Sequence, residues 1–170
     1  MQPGDSLELS DPYGVIRTRG LASENRKVRT VLNVSSSQKT LTARAVSALA
    51  GGSVHHIALG CTDIFESVAK LRANGVEFVP ISPNYYDDLR TRPDMDPGLV
   101  ERARSLGILY DRSGTGEYFH IYTTTFAERF FFEIVQRSGA YYGYGALNAP
   151  ARMASQAQAL RANETRKNHR

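Results

Sequence analysis

The stretch Ser53–Val79, SVHHIALGCTDIFESVAKLRANGVEFV, decides the fold. Val54-His55-His56-Ile57-Ala58-Leu59 reads as a strand, because a short apolar run interrupted by polar residues suits a half-buried sheet better than a helix. Thr62-Asp63 then offers an N-cap, and Ile64, Val68 and Leu71 recur at helical spacing until Asn74-Gly75 stops the helix. Val76-Glu77-Phe78-Val79 follows as a second strand. The order β-α-β is therefore written within 27 residues.

Working outward, Pro80 and Pro83 open an insertion, residues 84–106, with two short helices expected around Tyr85–Leu89 and over Pro97–Leu106. Three strands are expected next: Gly107–Tyr110, Tyr118–Thr123 and Phe130–Gln136. A last helix is expected from Pro150 to about Arg161. Upstream, Tyr13–Arg19 and Val28–Val34 are rich in β-branched residues and flank turn material, which predicts a hairpin. Ser35–Thr40 is a polar loop. The Ala-rich run Leu41–Ala50, ended by Gly51-Gly52, is either a short helix or a linker.

The whole chain of 170 residues, 41% hydrophobic and 22% charged, suits a globular α+β protein. No apolar run approaches the roughly 20 residues of a membrane span, and the amino terminus lacks the basic-then-apolar order of a secretory signal. A cytoplasmic location without membrane attachment is the expectation. The single Cys61 excludes an internal disulfide and a multi-thiolate zinc cluster. Net charge is +4, yet Arg161, Arg166, Lys167 and Arg170 against Glu164 place +3 of it in the last eleven residues. A basic tail rather than a basic face argues against nucleic-acid binding. There is no repeat and no glycine-rich phosphate loop, so nucleotide-dependent chemistry is not expected.

Chemistry must then come from histidines and from carboxylates set in apolar strands. Side chains alternate along a strand, so one of His55 and His56 must face inward. Glu133 follows three phenylalanines and precedes Ile134-Val135, where a bare carboxylate would lose several kcal/mol of solvation. It either pairs with Arg137, Arg129 or a buried lysine, or meets a metal. His56 and Glu133 together are two-thirds of a 2-His-1-carboxylate set for iron(II). His120, in a strand of aromatics, is open to three readings: a donor behind a ligand, a pocket residue, or a buried histidine. His169 reads as a solvated end.

These residues carry a resemblance. Gly51–Leu59, Asp63-Ile64, Leu71–Phe78, Phe131–Arg137 and Gly143-Tyr144-Gly145 are similar to the carboxy-terminal half of 4-hydroxyphenylpyruvate dioxygenase, a member of the vicinal-oxygen-chelate fold built from βαβββ modules. Lys27–Asn33 resembles the end of the preceding module in that family. Asp11-Pro12-Tyr13-Gly14, Pro80–Leu89 and Gly116–His120 resemble more closely the dioxygenase-like carboxy-terminal domain of two-domain bacterial 3-dehydroshikimate dehydratases, in which a separate barrel performs the dehydration.

The resemblance implies a division into residues 1–50, a partial preceding module, residues 51–162, a βαβββ module with its closing helix, and residues 163–170, a disordered basic tail. It implies His56 and Glu133 as ligands of Fe(II) or another divalent metal, with the family's second histidine falling before the chain starts. Either Met1 begins a truncated product or a partner subunit supplies the missing ligand, and a homodimer is expected because a lone module leaves one face of its sheet uncovered. Asn33 matches a pocket asparagine. His55 and His120 stand where the dioxygenases commonly have glutamines that help orient the substrate, and Tyr144 resembles the aromatic that closes the cavity, so the resemblance implies Asn33, His55, His120 and Tyr144 as substrate-binding residues. The implied ligand is an aromatic 2-oxo acid or a related small molecule. The alternatives are an accessory domain without turnover and a small-molecule binding module with no metal.

Overall fold

The computed structural model describes residues 1–11, 13–40, 42–43, 52, 54–126 and 130–167, in two compact units, Met1–His55 and His56–Arg170. No helix among the described residues is long and apolar enough to cross a membrane.

The first unit is an antiparallel meander of β1 (Gln2–Asp11), β2 (Gly14–Ala22) and β3 (Arg29–Ser35), in that spatial order. The sequence announced β2 and β3, where Ile16 and Thr18 are buried and Arg17 and Arg19 exposed, the alternation of a sheet with one covered face. It did not announce β1. Pro3 and Gly4 argue against a strand interior, but β1 lies at an edge and its register shifts between Pro3 and Ser6, which is where such residues are tolerated. Asp11 Oδ1 accepts the Tyr13 N–H at 2.9 Å and tightens the first turn. Ser23 and Val28 close the second, with Asn25 Oδ1 accepting from Ser23 Oγ and from Lys27 N. Of the run Leu41–Ala50 only Thr42 and Ala43 are described; both are helical, and Thr40 Oγ1 accepts the Ala43 N–H at 3.1 Å as an N-cap does.

The second unit starts with β4 (His56–Gly60) and α1 (Ile64–Ala73). Asp63 caps α1 by accepting the Glu66 N–H, Ile64 and Val68 are fully buried, and Gly75 with φ of 82° ends the turn where a Cβ would be strained. The strand expected over Val76–Val79 is a single bridge, Phe78 to Thr123, flanked by hydrogen bonds from Val79 N to Tyr122 O and from Thr124 N to Glu77 O. Phe78 and Val79 are buried as a strand's would be, and Pro80 ends the pairing because it has no N–H to donate.

The insertion holds α2 (Pro83–Arg90) and α3 (Pro97–Leu106), joined by the ion pairs Arg90–Glu101 and Arg104–Asp87. Strands β5 (Leu109–Ser113), β6 (Gly116–Tyr122) and β7 (Phe131–Ser138) complete a sheet of order β4-β7-β6-β5. Its β4 runs parallel to β7, and the other pairs are antiparallel. Counting β4, α1, β5, β6 and β7, this is the βαβββ order that the resemblance implies, one strand fewer than the residues alone suggest. One face packs on α1, α2 and α3 through Ile64, Val68, Leu89, Val100, Ile121 and Ile134. Strand alternation gives the opposite face Leu109, Tyr118, His120, Tyr122, Phe131 and Glu133. A 3-10 turn (Ala146–Asn148) and α4 (Ala149–Lys167) close the chain. The helical backbone passes Arg161, where the sequence suggested a stop, and includes residues 163–167 of the stretch expected to be disordered.

Candidate metal centre

Glu133 lies at the centre of the face opposite α1, α2 and α3 because β7 is an inner strand, flanked by β4 and β6. The parallel register sets His56 opposite Phe131, and the two rings stack with centroids 5.2 Å apart. That stacking orients the imidazole, whose Nε2 lies 3.4 Å from Glu133 Oε2. His56 keeps 24% of its side chain exposed and Glu133 only 6%, so the pair is reached from the histidine's side.

The other carboxylate oxygen is engaged from behind. Glu133 Oε1 accepts from the Tyr118 hydroxyl at 3.0 Å and lies 2.9 Å from His120 Nδ1. Burial alone would push the Glu133 carboxyl up. Hydrogen bonds and charge interactions with His120 and His56 outweigh it and hold the group well below the usual carboxylate range. Burial, with the neighbouring Glu133 charge, pushes the Tyr118 and Tyr122 phenols well up, so both stay protonated. The arrangement is an anionic oxygen beside a histidine nitrogen, backed by protonated donors.

Such a pair suits a divalent cation. Two ligands at about 2.1 Å from one ion, at an angle of about 100–110°, have donor atoms about 3.2–3.4 Å apart. Among the described residues no group of three or more His, Cys, Asp or Glu side chains is placed to hold a metal, and His56 and Glu133 are the pair that the second unit brings within 3.4 Å. His120 is not a third. It is fully buried, and its Nε2 meets Asn148 Nδ2 at 2.8 Å.

The residues singled out by sequence thus fall into separate places. His56 and Glu133 come together. His120, expected to touch substrate, stands behind Glu133. Arg137, a candidate counter-ion, instead lies over the Tyr118 ring, 4.3 Å from its centroid, and Arg129 is outside the described residues. Asn33 and His55 belong to the first unit; both are half-buried, and Asn33 Oδ1 accepts from Thr18 Oγ1 at 2.8 Å. Tyr144 is half-buried in the loop before the 3-10 turn.

Sequence reasoning missed Tyr118, Tyr122, Gly145 and Asn148. Alternation along Tyr118-Phe119-His120-Ile121-Tyr122 was the available signal for the first two. Gly145 has a φ of 64°, and a Cβ there would come within 2.9 Å of both His120 Cε1 and Tyr118 Cε1. Its amide donates to the Tyr141 hydroxyl, which bonds Asp111 and stacks its ring on Tyr118 at 5.0 Å.

No protein-family model matches the sequence. The chain is 46% identical over 158 residues to 3-dehydroshikimate dehydratase of Pseudomonas aeruginosa, an alignment covering 92% of this chain and 25% of that one. It is 32% identical over 136 residues to 4-hydroxyphenylpyruvate dioxygenase of the same organism, covering 79% of this chain and 38% of the relative. Among solved structures, a xylose isomerase-like TIM barrel/4-hydroxyphenylpyruvate dioxygenase fusion protein superimposes with a TM-score of 0.74 at 42% identity, covering 91% of this chain and 25% of that one. A mutant 4-hydroxymandelate synthase from Streptomyces coelicolor gives 0.81 at 25% identity, covering 95% and 46%. The chain spans about a quarter of the length of the curated dehydratases it matches.

Proposed function

Since this chain is a homologue of segments of 3-dehydroshikimate dehydratases and 4-hydroxyphenylpyruvate dioxygenases, with a fold of the vicinal-oxygen-chelate type, we propose that it is a dioxygenase-like domain whose His56 and Glu133 hold a divalent metal, iron(II) by family. The ligand is an aromatic 2-oxo acid or a related small molecule. The observation that carries this reading is the 3.4 Å between His56 Nε2 and Glu133 Oε2, with the other Glu133 oxygen already engaged.

A metal held there supplies Lewis acidity and redox chemistry toward a chelating oxo acid. The chain's own residues do the rest. Glu133 brings the negative charge that a dication needs, and its low proton affinity keeps that charge in place. Phe131 fixes the plane of His56. Val79, Leu109, Tyr122 and Phe131 pack into an apolar cluster beside the pair and exclude water from that side. Completion of the ligand set falls to a second module, in a longer protein or in the partner of a homodimer.

The test is anaerobic loading with iron(II) or cobalt(II), followed by metal analysis of the wild-type chain, His56→Ala and Glu133→Gln. Binding near one equivalent, lost in both variants, is the expected result; uptake below about a tenth of an equivalent in wild type counts against the site.

A second reading has its own observation in favour: the 46% identity is to one quarter of a dehydratase. On that reading the chain is an accessory, non-catalytic domain that binds a small molecule without metal. Thermal shifts separate the two: stabilisation by 4-hydroxyphenylpyruvate only with metal favours the first, and stabilisation by 3-dehydroshikimate without metal favours the second.

A further inference from the structure

Asn148 sits in the 3-10 turn before α4 with 1% exposure, and its amide is tied at both ends. Its Nδ2 lies 3.0 Å from Tyr110 O and 2.8 Å from His120 Nε2, while its Oδ1 lies 3.0 Å from the Tyr85 hydroxyl. A backbone carbonyl can only accept, so Tyr110 O decides which end of the amide is the NH2. One amide proton goes to that carbonyl, and the other points at His120 Nε2, which must accept it. The Tyr85 hydroxyl accepts the Tyr110 N–H at 2.9 Å, leaving its one proton for Asn148 Oδ1 and Tyr110 O, each 3.0 Å away.

In a neutral imidazole an accepting Nε2 requires the proton on Nδ1. That nitrogen faces Glu133 Oε1 at 2.9 Å, an atom that can only accept. The opposite tautomer would set an N–H against the Asn148 N–H at one end and a lone pair against the carboxylate at the other. Both ends of the ring therefore choose the same tautomer. The Tyr122 hydroxyl, 2.9 Å from Nδ1, can accept as well as donate and so leaves that choice unchanged.

We propose that Tyr85, Asn148 and His120 form a directed hydrogen-bond relay that fixes His120 as the Nδ1-protonated tautomer and so holds Glu133 with Oε1 engaged and Oε2 turned to His56. The use of that turned oxygen rests on the metal-ligand reading above; the tautomer does not. Tyr85, Asn148 and His120 are positioning residues, acting on the carboxylate from α2, the 3-10 turn and β6. The relay ties the insertion to Glu133, since the hydroxyl that bonds Asn148 Oδ1 comes from α2.

The experiment is a two-bond proton–nitrogen correlation spectrum of the full chain labelled with 15N-histidine, at pH about 8.5, above the usual imidazole range near 6.5. His120 is expected to show a protonated Nδ1 and a bare Nε2. A wild-type His120 protonated on Nε2 overturns the proposal, and that arm needs no variant beyond the one used for assignment. In Asn148→Ala, with amide resonances elsewhere unmoved, a mixture of tautomers is expected; full retention of the Nδ1–H form overturns the role of Asn148. If Asn148→Ala does not fold, Asn148→Asp, which sets an acceptor in place of the amide N–H facing Nε2, is read instead, with protonation of Nε2 expected to rise and full retention of the Nδ1–H form overturning the role of Asn148. Cobalt(II) titration supplies the second readout, with affinity expected to fall about 10–100-fold in the variant. Unchanged affinity alongside an altered tautomer overturns the positioning of Glu133. No cobalt uptake by the wild-type chain defeats the metal reading instead, and the relay then stands or falls on the tautomer alone.

Discussion

Glu133 keeps its charge at 6% exposure because His120, Tyr118 and His56 all face it, and each removal has a separable effect. Glu133→Ala strands the Tyr118 hydroxyl and the His120 ring in an apolar sheet, a loss of about 3 kcal/mol in urea unfolding. Glu133→Gln keeps an acceptor for both and is expected to lose clearly less stability, while metal uptake falls at least about tenfold. Tyr85 gives a pH signature. Burial pushes its phenol from 10.0 up to about 12, so its proton is bound more tightly in the folded chain than in the unfolded one. The associated stability is complete below pH 10 and is lost as pH rises through about 12, by of order 2 kcal/mol. Urea midpoints between pH 9 and about 12 should fall more steeply in wild type than in Tyr85→Phe. At this scale His56 and Glu133 were legible, because a carboxylate amid phenylalanines demands a partner. Asn148 was not, since an asparagine before a helix looks like a cap, and only the tertiary fold brings it to His120.

Elements were legible where their ends carry chemistry. Asp63 before α1, Pro97 in the first turn of α3 and Gly75 after α1 mark boundaries that local sequence can signal. Removing the cap with Asp63→Ala should cost about 1 kcal/mol and leave metal binding untouched, as thermal melting and metal analysis would show. Elements failed to announce themselves where pairing alone defines them: β1 forms despite Pro3 and Gly4 because it lies at an edge, and Val76–Val79 looks like a strand but bonds as a single bridge. The loop ahead of the 3-10 turn is held to the site by Gly145. Gly145→Ala adds a left-handed Cβ and a contact of 2.9 Å on His120, so a loss of about 2 kcal/mol is expected, accompanied by a shifted His120 resonance.

For the molecule as a whole, the sheet of the second unit has β4 at one edge, with Ile57 43% and Leu59 49% exposed. An apolar edge strand beside the His56–Glu133 pair is what pairing with a second module would cover. Sedimentation of the full chain is expected to show a dimer, and Leu59→Lys a shift toward monomer with α1 intact; a wild-type monomer at about 100 μM would defeat the homodimer expectation. The opening strand and helix and the three closing strands were legible because their periods differ, and the resemblance implied the βαβββ module, whereas the spatial order was not legible, since nothing local says that the last strand lies inside the sheet. That placement has a consequence during synthesis. Strand β4 leaves the ribosome first and finds its neighbour β7 only after every intervening element has been made. A nascent chain halted before Phe131 would carry His56 without the carboxylate it meets and a sheet split in two, so translation itself delays the His56–Glu133 pair until the unit is nearly complete.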